Sequence, residues 1–176
     1  MDMSNYVDYL NGQNMMEINI KGGTVTQKKY AESITWFVCR KLMPRLMNKL
    51  VINIHIKAFG KDDTLGYCLP DDDADEQRPR EFNIEINKTS KLRRLLETVA
   101  HELVHAKQFA RGELYWSCIK GQNRWKGQWL SNTRKAVKDY WDNPWEIEAH
   151  GRECGLFIRW AEQEGYANRK WAKEGI

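Results

Sequence analysis

Histidine, cysteine and proline are scarce in this chain, with four of each among 176 residues, and long hydrophobic runs are missing altogether. No apolar stretch approaches the roughly 20 residues that a membrane-spanning helix needs. The N-terminal stretch from Met1 to Glu17 is too polar for a signal peptide, so the expected location is the cytoplasm. Cys39, Cys68, Cys118 and Cys154 are scattered without a C-x-x-C pair. That spacing argues against a disulfide scaffold and against a structural cysteine zinc site. Charge of one sign is not concentrated either: 28 Lys and Arg against 24 Asp and Glu leave +4, spread along the chain rather than gathered in a basic arm.

What is present describes one globular domain. The chain is 41% hydrophobic and 30% charged, a balance that can fill a continuous core. The few histidines are placed unevenly, since three of the four are His101, His105 and His150. His101-Glu102-Leu103-Val104-His105 is an H-E-x-x-H motif inside a helical pattern that begins near Lys91. Residues four apart on a helix lie above one another, so both imidazoles can reach one ion with Glu102 beside them. Leu92, Leu95, Leu96, Val99, Leu103 and Ala106 recur at helical spacing as a single apolar stripe, and the histidines fall opposite it. The stripe is expected to face a sheet while the histidines look toward another part of the chain. An ordinary amphipathic helix with two surface histidines explains neither their scarcity nor their placement.

The order of elements predicts an α+β fold. Residues 1–25 read as a polar N-terminal extension with a short strand at Met15–Ile20 and a break at Gly22-Gly23. Residues 26–176 read as one domain carrying a Trp-rich insertion at 111–141. Thr26 can cap a helix whose apolar face is Tyr30, Ile34, Phe37, Val38 and Leu42 and which ends near Pro44. Alternation over Leu50–Phe59 sets Ile52, Ile54, Ile56 and Ala58 on one strand face and His55 on the other, which makes His55 a strand histidine rather than a ligand. After a turn at Gly60–Asp63, Leu65–Leu69 can form a second strand. The acidic run Asp71–Glu76 lacks the alternation and glycine of a calcium loop and reads as solvated. Arg80–Asn87 makes a third strand with Phe82, Ile84 and Ile86 inward; if it is the sheet edge beside the site, it can hold an extended peptide by strand addition. Thr89 or Ser90 is then the cap of the motif helix. Between Arg111 and Ser131, three glycines separate Tyr115, Trp116, Trp125 and Trp129, as in a hairpin stabilised by large rings. Lys120, Arg124 and Lys126 interleave with those rings and make base stacking conceivable, but no nucleic-acid motif accompanies them, and packing over the active face is favoured.

Asn143-Pro144-Trp145-Glu146 opens a further helix, with Asn143 as cap, proline at the first position and Glu146 placed for a capping box. That assignment leaves Glu148, one turn in, to serve as the third ligand. Glu148 shares a face with Gly151, Arg152 and Gly155, where small residues allow a second backbone close. The competing role for Glu148 is an i,i+4 pair with Arg152. His150 lies off that face and is a candidate beside the ligands or on the oxyanion side; Tyr115, Tyr140 and Arg152 are the other candidates for that donor.

These two elements, His101–His105 and Pro144-Trp145-Glu146-Ile147-Glu148-Ala149, resemble those of the small gluzincin metallopeptidases, including the SprT-like and related minimal phage and bacterial zincins. The similarity covers roughly residues 26–164. It implies a zincin-like fold, a Zn2+ ion held by His101, His105 and Glu148, Glu102 as general base, and a peptide or protein substrate. The Trp-rich interval departs from the family pattern, and no cysteine-rich or basic tail follows to support a role at DNA-protein crosslinks. Two alternatives stay open. One is a non-catalytic protein or nucleic-acid interaction module built on the Trp-rich segment. The other is a peptide deformylase-like hydrolase in which Cys68, in Gly66-Tyr67-Cys68-Leu69, supplies the third ligand, although Tyr67 interrupts that match.

Overall fold

Alternating isoleucines organise the sheet. In the computed structural model, which describes residues 16–60, 64–71, 77–117, 121–130 and 140–174, β1 (Glu17–Gly22) and β4 (Glu81–Asn87) run parallel to β2 (Val51–Lys57) on its two sides. β3 (Gly66–Pro70) pairs antiparallel with β4, giving the order β1-β2-β4-β3. Ile52, Ile54, Ile56, Phe82, Ile84 and Ile86 are buried on one face, and His55 is exposed on the other, as the alternation predicts. On that open face Asn53 links Asn19 and Asn83 in a polar ladder. The third sequence strand is therefore interior: β4 has its ladder filled on both sides, and the edge belongs to β3. The described part of the N-terminal stretch is not a free extension, because β1 pairs with β2 along its length.

Two helices cover the buried face, and a third packs on them. α1 (Val25–Leu42) is capped by Thr24 rather than Thr26: the Thr24 hydroxyl accepts from the Gln27 backbone N–H, and the Gln27 side chain accepts from that of Thr24. Gly22, at φ +70°, precedes this cap where any Cβ would sit 2.1 Å from the Ile56 carbonyl oxygen. α2 (Leu92–Ala110) carries the H-E-x-x-H motif and buries Leu95, Leu96, Val99, Leu103 and Ala106. Its N-cap is Lys91 without a side-chain bond, so neither Thr89 nor Ser90 caps it. Asn87 instead accepts from the Thr89 backbone and hydroxyl, closing the turn between β4 and α2 before the cap position is reached.

After α2 the chain makes a small antiparallel meander, β5 (Leu114–Ser117), β6 (Gln122–Trp125) and β7 (Gln128–Leu130). The expected hairpin is thus three strands, with Lys126-Gly127 as a two-residue turn at positive φ. A 3-10 turn at Tyr140–Asp142 leads into α3 (Pro144–Gln163), and the short α4 (Lys170–Lys173) follows. Trp160 is fully buried, donates to the Ser33 hydroxyl and meets Tyr30, Tyr166 and Trp171, locking α3 and the C-terminal turn onto α1. The architecture is α+β with mixed sheets. No helix among the described residues is long and apolar enough to cross a membrane. The N-terminal residues 1–15, the turn residues 61–63, the acidic residues 72–76, Cys118 and Lys120, and residues 131–139 of the Trp-rich insertion lie outside the described residues.

The two faces of β2 differ in energetic weight. Ile54→Ala is expected to lower unfolding free energy by about 2–5 kcal/mol, and His55→Ala to stay within about 0.5 kcal/mol, in chemical denaturation. Equal effects would contradict the face assignment.

Candidate metal centre

The motif side chains are turned inward. His101, Glu102 and His105 are all buried, because α3 lies across the side of α2 opposite its apolar stripe. The two Nε2 atoms are 3.1 Å apart, and Glu146 Oε2, from the first turn of α3, is 3.4 Å from each of them.

The other ring nitrogens decide which atoms point at this meeting place. His101 Nδ1 lies 2.7 Å from Glu153 Oε2, and an ionised carboxylate can only accept, so the proton belongs on Nδ1. His105 Nδ1 is 2.9 Å from Gln108 Oε1, while the Gln108 amide donates to the Trp145 carbonyl and to Glu148 Oε2. Both Nε2 atoms are thereby left as lone pairs facing a carboxylate oxygen. Three acceptors at this spacing repel unless a cation or a proton sits among them. Four tetrahedral ligands at 2.0–2.1 Å from zinc are separated by about 3.4 Å, which both distances to Glu146 match and the 3.1 Å between the imidazoles approaches.

The electrostatics agree. Burial disfavours a charged His101, but the Glu146 and Glu153 carboxylates outweigh it and raise its pKa to about 9. Burial would likewise raise Glu146, yet the bonds with His101 and His105 and that from Tyr140 hold it well below the usual carboxylate range. Without a metal, these carboxylates favour a protonated His101.

His150 stands one turn after Glu146. One ligand atom each from His101, Glu146 and His150 lies within 4.8 Å of the other two, so this buried cluster can hold a metal ion. The His150 ring packs 4.4 Å from that of His101 and 4.7 Å from that of Trp141. Its Nδ1 is 3.2 Å from Glu153 Oε2, and its buried Nε2 has no hydrogen-bond partner among the described residues. Burial and the neighbouring His101 charge lower its pKa. Tyr140 donates its hydroxyl proton to Glu146 Oε2 at 2.7 Å.

Glu148 is not brought to the imidazoles. Its carboxylate is held by Lys107 at 2.9 Å, by Gln108 at 3.1 Å and by Arg152 at 3.1 Å. Lys107 is itself buried and bonded to Glu113 as well, and a buried ammonium requires such acceptors. The helix turns Glu148 about 200° from Glu146, whereas positions four and seven on, His150 and Glu153, return to within about 40°. The sequence assignment fails at the capping box, because Asn143 makes no side-chain cap bond. Gly151 and Gly155 have open space where a Cβ would lie, so no backbone approaches them. The Glu148–Arg152 pair, weighed as the alternative, does form.

Other candidates separate as clearly. Tyr115 turns to the outer face of the meander, with the Arg124 guanidinium 5.0 Å from its ring centre. Cys68 is outside the cluster, and burial, then the Glu102 charge, push its thiol well up, which disfavours the thiolate a metal requires. Glu153, Gln108 and Gly66 were not anticipated. A Cβ on Gly66 would fall 2.8 Å from both Glu102 Oε1 and Thr98 Cγ2, so a larger residue there would displace the motif carboxylate or Thr98. The spacing Glu146, His150, Glu153 was the available signal for α3. The cluster opens into a cavity of about 840 Å³ between β3, α2, the meander and the Tyr140-Trp141 turn.

No family model, curated protein or solved structure matches the chain. The resemblance to gluzincins therefore rests on its residues alone.

Burial raises the Glu102 carboxyl to about 7, against the opposing charges of His105 and His101. In metal-free protein this penalty is absent below about pH 4.5, grows with ionisation and is complete above about pH 7. The stability of Glu102→Gln relative to wild type should therefore rise across that window and level off. A difference independent of pH in denaturation titrations would contradict the account.

Proposed function

We propose that the chain is a zinc-dependent metallopeptidase in which His101, His105 and Glu146 hold the metal and Glu102 is the general base. The convergence of two Nε2 lone pairs and the Glu146 oxygen at 3.1–3.4 Å supports this reading most directly. Imidazole and carboxylate donors suit zinc, and three protein ligands leave one position open. A zinc ion bound there would lower the pKa of water and polarise a carbonyl.

The chain's own groups supply the proton transfers. Glu102, poised near neutrality, can take a proton from the attacking water and return it to the departing amine nitrogen. Tyr140 carries an O–H at the cavity wall and is the better oxyanion donor, on turning from Glu146. His150, with Nδ1 committed to Glu153, keeps a buried accepting Nε2 beside the cluster.

The edge of β3 offers a place for the substrate backbone. Asn87 N–H donates to the Leu65 carbonyl and Asp71 N–H to that of Glu81. In the alternating antiparallel ladder, Gly66 and Cys68 then direct their N–H and C=O groups to the free edge. An extended peptide adding there lies alongside the metal centre. The nucleic-acid alternative is less well served, because Arg124 is already enclosed by Tyr115 and Trp129 and bonded to Gln77.

Metal analysis after zinc loading should give near-equimolar zinc in wild type and in Glu148→Gln, and a strong loss in Glu146→Ala. The reverse ranking would falsify the ligand assignment. Glu102→Gln should keep its zinc while peptide hydrolysis falls by about 10²–10⁴-fold, and unchanged turnover would remove Glu102 as the base.

A further inference from the structure

We infer that the cleft takes extended polypeptide segments rich in large apolar side chains, the kind that unfolded chains expose and folded ones bury. This deepens the peptidase reading and rests on it for the site, but the recognition is separable from the chemistry.

The first observation is an edge whose one guard among the described residues, Pro70, stands at its end. Natural edge strands are usually protected by lysine, proline or a bulge. From Gly66 to Leu69, β3 has none of these, and Pro70 stands only at its end. Tyr67 and Leu69 are 41% and 52% exposed. They are two residues apart and so share one face, and every second side chain of an added strand would lie beside them. The intervening side chains would point to the Cys68 side, into the cleft.

The opposite wall has the same character. Trp116, on the cleft side of β5, is 48% exposed, and Trp141, on the turn before α3, is 68% exposed. The rings on the outer face of the meander are engaged by Arg124, whereas these two stand at the cavity. Exposed large apolar groups gathered on one concave surface mark a binding site.

Charge gives no competing preference. Arg94 is the one arginine or lysine among the described residues that line the cavity, and it is bonded to Glu153 and paired with Glu97. The acids nearby are committed within the metal centre. Among the described lining residues a charged substrate side chain would find its possible partners already paired, and an apolar one would cover exposed rings. The edge also demands free backbone N–H and C=O groups, which a segment already paired in a folded domain does not have.

The test measures binding to the full chain carrying Glu102→Gln, incubated with zinc, by tryptophan fluorescence and calorimetry. The probes are peptides of about ten residues, long enough for one strand: alternating Phe-Ser, alternating Glu-Ser, and Phe-Ser with alternate backbone nitrogens methylated. The Phe-Ser peptide is expected to bind at least about tenfold more tightly than Glu-Ser, and to lose about tenfold on methylation and in a Leu69→Glu background. Equal affinity for Phe-Ser and Glu-Ser, indifference to methylation, or no binding at all would overturn the inference. Wild-type turnover separates the two ideas: selective binding without cleavage keeps this inference and removes the peptidase, and equal cleavage of both unmethylated peptides does the opposite.

Discussion

Two imidazole nitrogens and a carboxylate oxygen are held within 3.4 Å of one another in a buried space, and much of the structure serves to keep them there. Like acceptors do not assemble spontaneously, so each must be tied from behind. Glu153 ties His101, Gln108 ties His105, and Tyr140 meets Glu146. These ties act between α2 and α3, whose mutual position is set in turn by Ala149, Leu156, Phe157 and Trp160 in the core. A metal cation would turn this repulsion into binding energy, and the outer hydrogen bonds hold the imidazoles as such an ion would need them.

A second buried network lies one turn along α2 and supports the first. Lys107 gathers Glu113 and Glu148, and Gln108 spans Glu148, the Trp145 carbonyl and His105. Glu148 thus acts on the metal centre at one remove: it fixes the amide that fixes His105. Glu146 and Glu148, read from the sequence as a cap and a ligand, have different work because the helix presents them to different partners.

Much of the fold was legible because its signals are local. The isoleucines of β2 and the leucine stripe of α2 declare their buried faces through period alone, and the H-E-x-x-H motif places its three side chains on one helix side. The third acid was harder to read. Asn143 and Pro144 make a convincing helix start, and a capping glutamate is the ordinary reading of Glu146. What decides otherwise is the rotation of α3, and the apolar positions 149, 156, 157 and 160 do encode it, since Glu146 and Glu153 lie on that same side. The order of β3 and β4 was not legible from strand patterns, because pairing between distant segments leaves no local mark; Gly66 becomes meaningful only once β3 is known to press on Glu102.

The donor atoms distinguish this ligand set from any other. X-ray absorption at the zinc edge of the zinc-loaded chain would read them directly. The expected shell is nitrogen and oxygen at about 2.0–2.1 Å with the outer scattering of two imidazoles, retained in Glu148→Gln and lost in Glu146→Ala. A sulfur neighbour at about 2.3 Å, or a shell unchanged by loss of Glu146, would contradict it.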